Sequence, residues 1–433
     1  MRLRSQVIWS FGLKGLGAAL ALAVSWVVAR LYGPLGSGLY AIGQTTVQMV
    51  GFIALIGLDS IMLRTMAGEI RVDRRDLARG AVRVAAKVAL PASVLAALVL
   101  LAMHPLIARA IDTPGTARVM AIVAPAVIGI VAMRLSSFAL RGAGLPLASQ
   151  SMEGPLTSGL AIIMLGLLAA APILPPVWML AVIYTASMII TAMIGWILYV
   201  RAVRAWPAPK APPLRPMLVA GVPVMISVVA GYGIDWLSML LTSYFASPEA
   251  AGTLRVAAQT LLITALVISS FDAIIGPQIA ASWKVGEKQR IASLLRKTIL
   301  GSLAATAPIF AVVLIWPEFI MGLFGPQFVA GATALQIVAV GNLVALSGGP
   351  VGSLLIMSGH QRWSVGFALG AIVLLTVLSA SLVPLYGVTG GAIALTVTMI
   401  FRRLAGGLVV RYVVGIKIID FGRRSAKPPQ SMP

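Results

Sequence analysis

The sequence predicts an all-α integral membrane protein with about twelve transmembrane helices in two six-helix lobes. Three observations carry that reading. Hydrophobic residues make up 59% of the 433-residue chain and charged residues only 10%, against about 25% charged in a soluble domain; mean hydropathy is +0.99. The apolar residues fall into runs of roughly 20, the length that crosses a bilayer as a helix. The net charge of +21 is concentrated in every second connection between those runs.

Twelve runs can be drawn, with approximate limits 7–30, 38–62, 83–103, 118–140, 152–171, 177–200, 217–241, 250–275, 298–321, 332–357, 363–384 and 387–410. The first follows Met1 and two arginines and ends near Ala29. It is longer than the ~7–15-residue core of a signal peptide and further runs follow at once, so it reads as a retained first span.

The connections alternate in charge. Arg64, Arg71, Arg74, Arg75, Arg79 and Arg83 lie between runs two and three. Arg141 follows run four, and Arg201, Arg204, Lys210 and Arg215 follow run six. Lys284, Lys288, Arg290, Arg296 and Lys297 follow run eight, Arg362 follows run ten, and Arg411, Lys417, Arg423, Arg424 and Lys427 close the chain. The intervening connections are nearly bare; Arg109 and Arg118 are the exceptions. Basic residues in short loops stay on the cytoplasmic side, which predicts both termini inside and a bacterial inner-membrane location. An even number of spans agrees with this.

The widest break is RAVRAWPAPKAPPLRP, 201–216, whose five prolines and four basic residues make a stiff extended linker. It divides the chain into a lobe over 1–203, a cytoplasmic linker over 204–216, a second lobe over 217–410 and a basic tail over 411–433. A midpoint linker invites a search for an internal repeat. One runs at a shift of about 213–215 residues: Gly38 falls on Gly252, Gln44 on Gln259, Asp59 on Asp272, RRDLAR at 74–79 on QRIASL at 289–294, and ALRGAG ending at Gly144 on LIMSG ending at Gly359. Two six-span halves keep the same orientation, so the axis relating them runs along the membrane normal.

Several function classes are excluded. The chain has no cysteine, so disulfides and thiolate metal sites are ruled out. His104 and His360 fall at predicted helix ends and read as loop residues. The sequence calls for no cofactor. The basic surplus sits in loops that meet anionic membrane lipid, not in a nucleic-acid-binding face. There is no Walker phosphate loop.

The run R-L-x-G-P-x-x-x-G-x-Y, set by Arg30, Leu31, Gly33, Pro34, Gly38 and Tyr40, continues into Gly57-Leu58 and Arg64. Gly221-Val222-Pro223 and Gly325-Pro326 fit the same pattern. This chain resembles the Wzx-type oligosaccharide flippases of the multidrug/oligosaccharidyl-lipid/polysaccharide exporter superfamily. The resemblance implies alternating access, a polyprenyl-diphosphate-linked oligosaccharide substrate carried from the cytoplasmic to the outer leaflet for surface polysaccharide biosynthesis, and a polysaccharide polymerase and export machinery as partners. Two alternatives remain open: a proton- or Na⁺-coupled drug or cation antiporter of the same superfamily, and a membrane polysaccharide polymerase or ligase. The second would need a sizeable outer loop or an acidic motif.

Ionisable residues inside spans are costly and usually face a cavity. Lys14, Arg30, Arg134 and Arg255 are the candidate ligands for a diphosphate, which a guanidinium can grip through two parallel hydrogen bonds. The competing reading is a long basic side chain reaching back to the interface, favoured for Arg30 and for Arg402 and Arg403. Gln44 and Gln48 share a helix face, as do Arg255 and Gln259; their amides suit sugar hydroxyls or inter-helix hydrogen bonds. Asp235 is the candidate for ion coupling, or a partner for a cavity arginine. Asp59 reads as pairing with a loop base such as Arg64. Gly12, Gly15, Gly17, Pro125, Pro223 and Gly348-Gly349-Pro350 are candidate hinges or packing positions.

Overall fold

A computed structural model describes residues 2–111, 115–170, 175–262, 287–347 and 361–415, with isolated positions between 264 and 283 and at 354–355. Asp272, Gly359, His360 and the 348–350 hinge candidate lie outside the described residues. So does most of the basic tail.

The described residues are almost entirely helical, and no strand occurs among them. In chain order the helices are α1 (Arg2–Leu55), α2 (Leu58–Arg71), α3 (Arg75–Ile111), α4 (Thr116–Val123), α5 (Ala126–Gly142), α6 (Pro146–Met152) and α7 (Pro155–Ala169). They continue with α8 (Met179–Ala202), α9 (Leu214–Phe245), α10 (Pro248–Thr260), α11 (Lys288–Ile315), α12 (Pro317–Phe324), α13 (Ala332–Ser347) and α14 (Gln361–Val409). A 3₁₀ turn, Pro326–Gly331, joins α12 to α13.

Nine helical stretches among the described residues are long and apolar enough to cross a membrane, and two of them run to 44 and 49 residues. A helix of 44 residues would be about 66 Å long, twice the ~30 Å hydrocarbon core. Each long stretch breaks at a glycine. Gly33 (φ 62°, ψ −161°) divides α1, and Gly387 (φ 54°, ψ −127°) divides α14. An L side chain is strained at such angles, whereas glycine adopts them freely. Pro34 follows the first break and starts the next helix without an amide to satisfy. The first break falls between runs one and two of the sequence reading, and the second falls on the first residue of run twelve. Pro125 acts in a related way, ending α4 and starting α5 within one apolar stretch.

The core divides along the chain. One large cluster of buried hydrophobic residues runs from Leu39 to Met217, and a second is built mostly from Ile234 to Leu395 with Ala29 and Ala41 added from α1. Between α8 and α9 the linker carries no helix, and it is tied to the start of α3: the Lys210 amide donates to the Asp76 carbonyl at 3.1 Å.

The two halves meet along α1, α9 and α10. A Cβ on Gly38 would lie 1.8 Å from the Pro248 carbonyl oxygen, and one on Gly252 would lie 2.1 Å from the Pro34 carbonyl oxygen. The contact is reciprocal, with Gly38 on Pro248 and Gly252 while Gly252 sits on Pro34 and Gly38. Such pairing is what a two-fold relation produces at its axis. It joins two positions that the sequence repeat had aligned. Nearby, Trp236 Nε1 donates to Thr46 Oγ1 at 3.1 Å, and Trp26 Nε1 and Arg30 Nε both donate to the Leu323 carbonyl at 2.9 Å.

Candidate functional site

A cavity of about 810 Å³ opens between α1, α5, the α6–α7 segment, α8, α9 and α10. That is within the range of sites that enclose small-molecule ligands. Lys14, Gln44, Gln48, Arg134, Arg255 and Gln259 all line it. The α-helical repeat explains the convergence. Residues four apart share a face, so Gln44 with Gln48 and Arg255 with Gln259 reach the same space once α1 packs on α10.

Four basic side chains line the cavity, namely Lys14, Arg134, Arg141 and Arg255, with Glu153 as the acidic one. Their surroundings differ. Arg134 donates through Nε and Nη2 to Asp59 Oδ2 at 3.0 and 2.8 Å, and its guanidinium lies 4.9 and 5.0 Å from the ring centres of Phe52 and Phe138. Asp59 is buried, and its other oxygen accepts from the Ser60 amide at the start of α2. The partner of Asp59 is therefore Arg134, not Arg64 as the sequence suggested. The pair spans 75 residues of chain, and proximity in sequence pointed to the wrong base. Arg141 is likewise engaged: Nη2 donates to Glu153 Oε1 at 2.8 Å, and the guanidinium stacks on Phe138.

Lys14 and Arg255 have no such counter-charge within ion-pair distance among the described residues. Arg255 Nη2 donates to Gln44 Oε1 at 3.1 Å, so this amide makes an inter-helix hydrogen bond while still facing the cavity. Tyr40 and Tyr184, edge to face with centroids 5.9 Å apart, sit within electrostatic reach of Arg255. Asp235 lies in the field of both Arg255 and Arg402 without forming a salt bridge to either, and it lies beside the cavity lining, not in it.

Three further lining groups were not legible in the sequence. The Tyr184 hydroxyl, Gln150 Oε1 and the Ser37 hydroxyl are buried at the cavity and have no hydrogen-bond partner. Buried polar atoms are almost always satisfied, and these three belong to residues that line one cavity. Arg30 is elsewhere. It donates to Leu323 across the two halves and packs 5.7 Å from the Trp26 ring centre, a contact that ties the lobes together. Gly17 packs against Pro155, with room for a Cβ only at 3.0 Å, while Gly12 and Gly15 meet nothing. No cluster of three metal-ligating side chains occurs among the described residues.

The sequence model of the family described as polysaccharide biosynthesis proteins matches residues 3–283. The chain belongs to that family. No curated protein sequence matches significantly. Among solved structures, an inward-facing multidrug-resistance MATE transporter of the MOP superfamily superposes with a TM-score of 0.74 at 16% identity, covering 94% of this chain and 98% of the other. The lipid II flippase MurJ, in an inward closed conformation, gives 0.72 at 12% identity over 93% and 87%. A MOP-superfamily transporter from Pyrococcus furiosus gives 0.62 at 18% identity over 94% of each chain. At these identities the likeness is one of fold. The family member described here is a multi-pass membrane protein with the two-lobed MOP transporter fold.

Proposed function

We propose that this polysaccharide biosynthesis family member flips a polyprenyl-diphosphate-linked oligosaccharide from the cytoplasmic to the outer leaflet. Lobes over 1–203 and 217–410, joined by the 204–216 linker, would rock about the α1–α10 seam with both termini in the cytoplasm. The observation that carries this is the cavity itself: two cations, Lys14 and Arg255, with no carboxylate at ion-pair distance among the described residues, set among side-chain amides and unpartnered hydroxyls. An anionic diphosphate supplies the missing charge, and sugar hydroxyls supply the missing hydrogen bonds. A flippase needs no covalent step. The cavity replaces water around the headgroup while the polyprenyl tail stays in lipid, which is favoured because each CH₂ kept out of water is worth about 0.8 kcal/mol.

Cation antiport is disfavoured by the same charges. A cationic drug would meet four bases and one acid already paired to Arg141. The flippase reading is tested in cells that depend on this protein for surface polysaccharide. Arg255→Ala should cut export at least ten-fold at normal protein level, and Arg255→Lys should restore part of it because the charge returns without the planar fork. Unchanged export in Arg255→Ala and Lys14→Ala together would overturn the reading.

A further inference from the structure

A second cavity, about 650 Å³, lies on the outside of the first half, between α3, α8 and the linker. We infer that it binds an anionic phospholipid, with the headgroup phosphate held by Arg79, Arg83 and Lys87. The three bases stand four residues apart on α3 and share one helix face. Helical side chains lean toward the helix N-terminus, so Arg83 and Lys87 reach back toward the linker, whose Pro209 closes that end of the cavity.

The bases are not equivalent. Arg79 Nη1 donates to the Trp206 and Pro207 carbonyls at 3.0 and 3.3 Å, so it fixes the linker over the site. Asp76, one turn below, is taken by Lys210 at 3.3 Å. Arg83 and Lys87 are exposed and meet no carboxylate at ion-pair distance among the described residues. Between them and the core sits Tyr199, 4% exposed. Its hydroxyl is buried without a hydrogen-bond partner and lies within electrostatic reach of Arg79. An unsatisfied donor beside a cluster of bases is the arrangement a phosphate oxygen completes.

The other half of the cavity favours a lipid over free phosphate. Leu90, Pro91, Trp196 and Val200 form its wall farther along α3 and α8, within two of the stretches apolar enough to span a membrane. A free anion gains nothing from that wall, whereas an acyl chain does. Basic pockets between helices at the cytoplasmic face are suited to anionic lipid headgroups. The site also couples bilayer to linker: the lipid would lie against the segment that joins the lobes.

The test uses the purified full-length protein in detergent. Thermal unfolding is followed while phosphatidylglycerol, phosphatidylcholine or inorganic phosphate is added. Phosphatidylglycerol should raise the midpoint, and the other two should not. Arg83→Gln with Lys87→Gln should weaken the apparent affinity for phosphatidylglycerol about 30-fold, at the worth of a basic residue near an anionic lipid surface. Tyr199→Phe should weaken it a few-fold without disturbing any hydrogen bond of the lipid-free fold. Arg255→Ala should respond as the wild type, which separates this site from the transport cavity. An unchanged response in both Arg83→Gln/Lys87→Gln and Tyr199→Phe overturns the proposal. So does equal stabilisation by phosphatidylcholine or by inorganic phosphate alone.

Discussion

Replacing Gly38 with Ala should hold the two halves apart. The new Cβ would stand 1.8 Å from the Pro248 carbonyl oxygen and close to the Gly252 backbone. A tolerable carbon–oxygen contact is roughly 3.3 Å, so α1 and α10 must separate by about 1.5 Å. Both sides of the contact are backbone, and no rotamer change can relieve it. Overpacking of this kind costs about 1–3 kcal/mol. If the seam is closed in one transport state and open in the other, that cost appears as a shift of roughly 5- to 150-fold toward the open seam. The chain has no cysteine, which suits a distance measurement. Spin labels on Leu31→Cys and Gln327→Cys, residues lining one crevice between α1 and the 3₁₀ turn, would report the separation by electron–electron resonance. Gly38→Ala should lengthen and broaden the distance and lower export. Gly166→Ala, where a Cβ meets nothing, should change neither. An unaltered distance in Gly38→Ala would refute the idea that this close approach sets the seam.

Asp59→Asn leaves Arg134 with no carboxylate in a site where its side chain is 19% exposed. Stability should drop by about 3 kcal/mol, seen as a lower thermal midpoint, and Asp59→Asn combined with Arg134→Met should recover most of it; no drop in the single variant would mean the pair is solvated. Tyr184→Phe removes no hydrogen bond of the protein, so the midpoint should hold while transport falls roughly 3- to 10-fold, the worth of one hydrogen bond to substrate. An equal fall in midpoint would make the hydroxyl structural. Vesicles carrying the protein should not concentrate a fluorescent lipophilic cation under a proton gradient, because the lining bases outnumber the acid; gradient-driven uptake would favour antiport instead.

Much of the fold was legible because its signals are local. Hydropathy marks apolar helices within about 20 residues, and a glycine before a proline at 33–34 marks the break between two of them. The cavity was partly legible for a related reason: charges and amides inside spans are expensive, and helical spacing says which of them share a face. That logic singled out Lys14, Gln44, Gln48, Arg134, Arg255 and Gln259, and the structure brings them around one space. It had no way to rank them. Arg134 looked as available as Arg255 until Asp59 and two phenylalanine rings were placed around it. Arg30 has the same composition signal and a different job, because its partner Leu323 is 293 residues away. Tyr184 sits in an apolar run with no local feature to distinguish it; only its unpaired hydroxyl does so.

A base that already holds a carboxylate, as Arg134 and Arg141 do, must give up that bond to bind a phosphate, so it gains little from substrate. Lys14 and Arg255 give up less: Arg255 shares its charge with the neutral amide of Gln44. These two lie on different helices, Lys14 on the first part of α1 and Arg255 on α10, and so on different sides of the seam that Gly38 and Gly252 form. On the proposed function, a dianionic headgroup bridging them would draw the halves together, and its departure would remove the attraction. Substrate charge would then bias the seam itself. The double variant Lys14→Ala/Arg255→Ala should abolish any substrate-dependent change in the Leu31–Gln327 distance while leaving the Gly38→Ala effect intact, and a substrate response that survives in it would detach the charges from the motion.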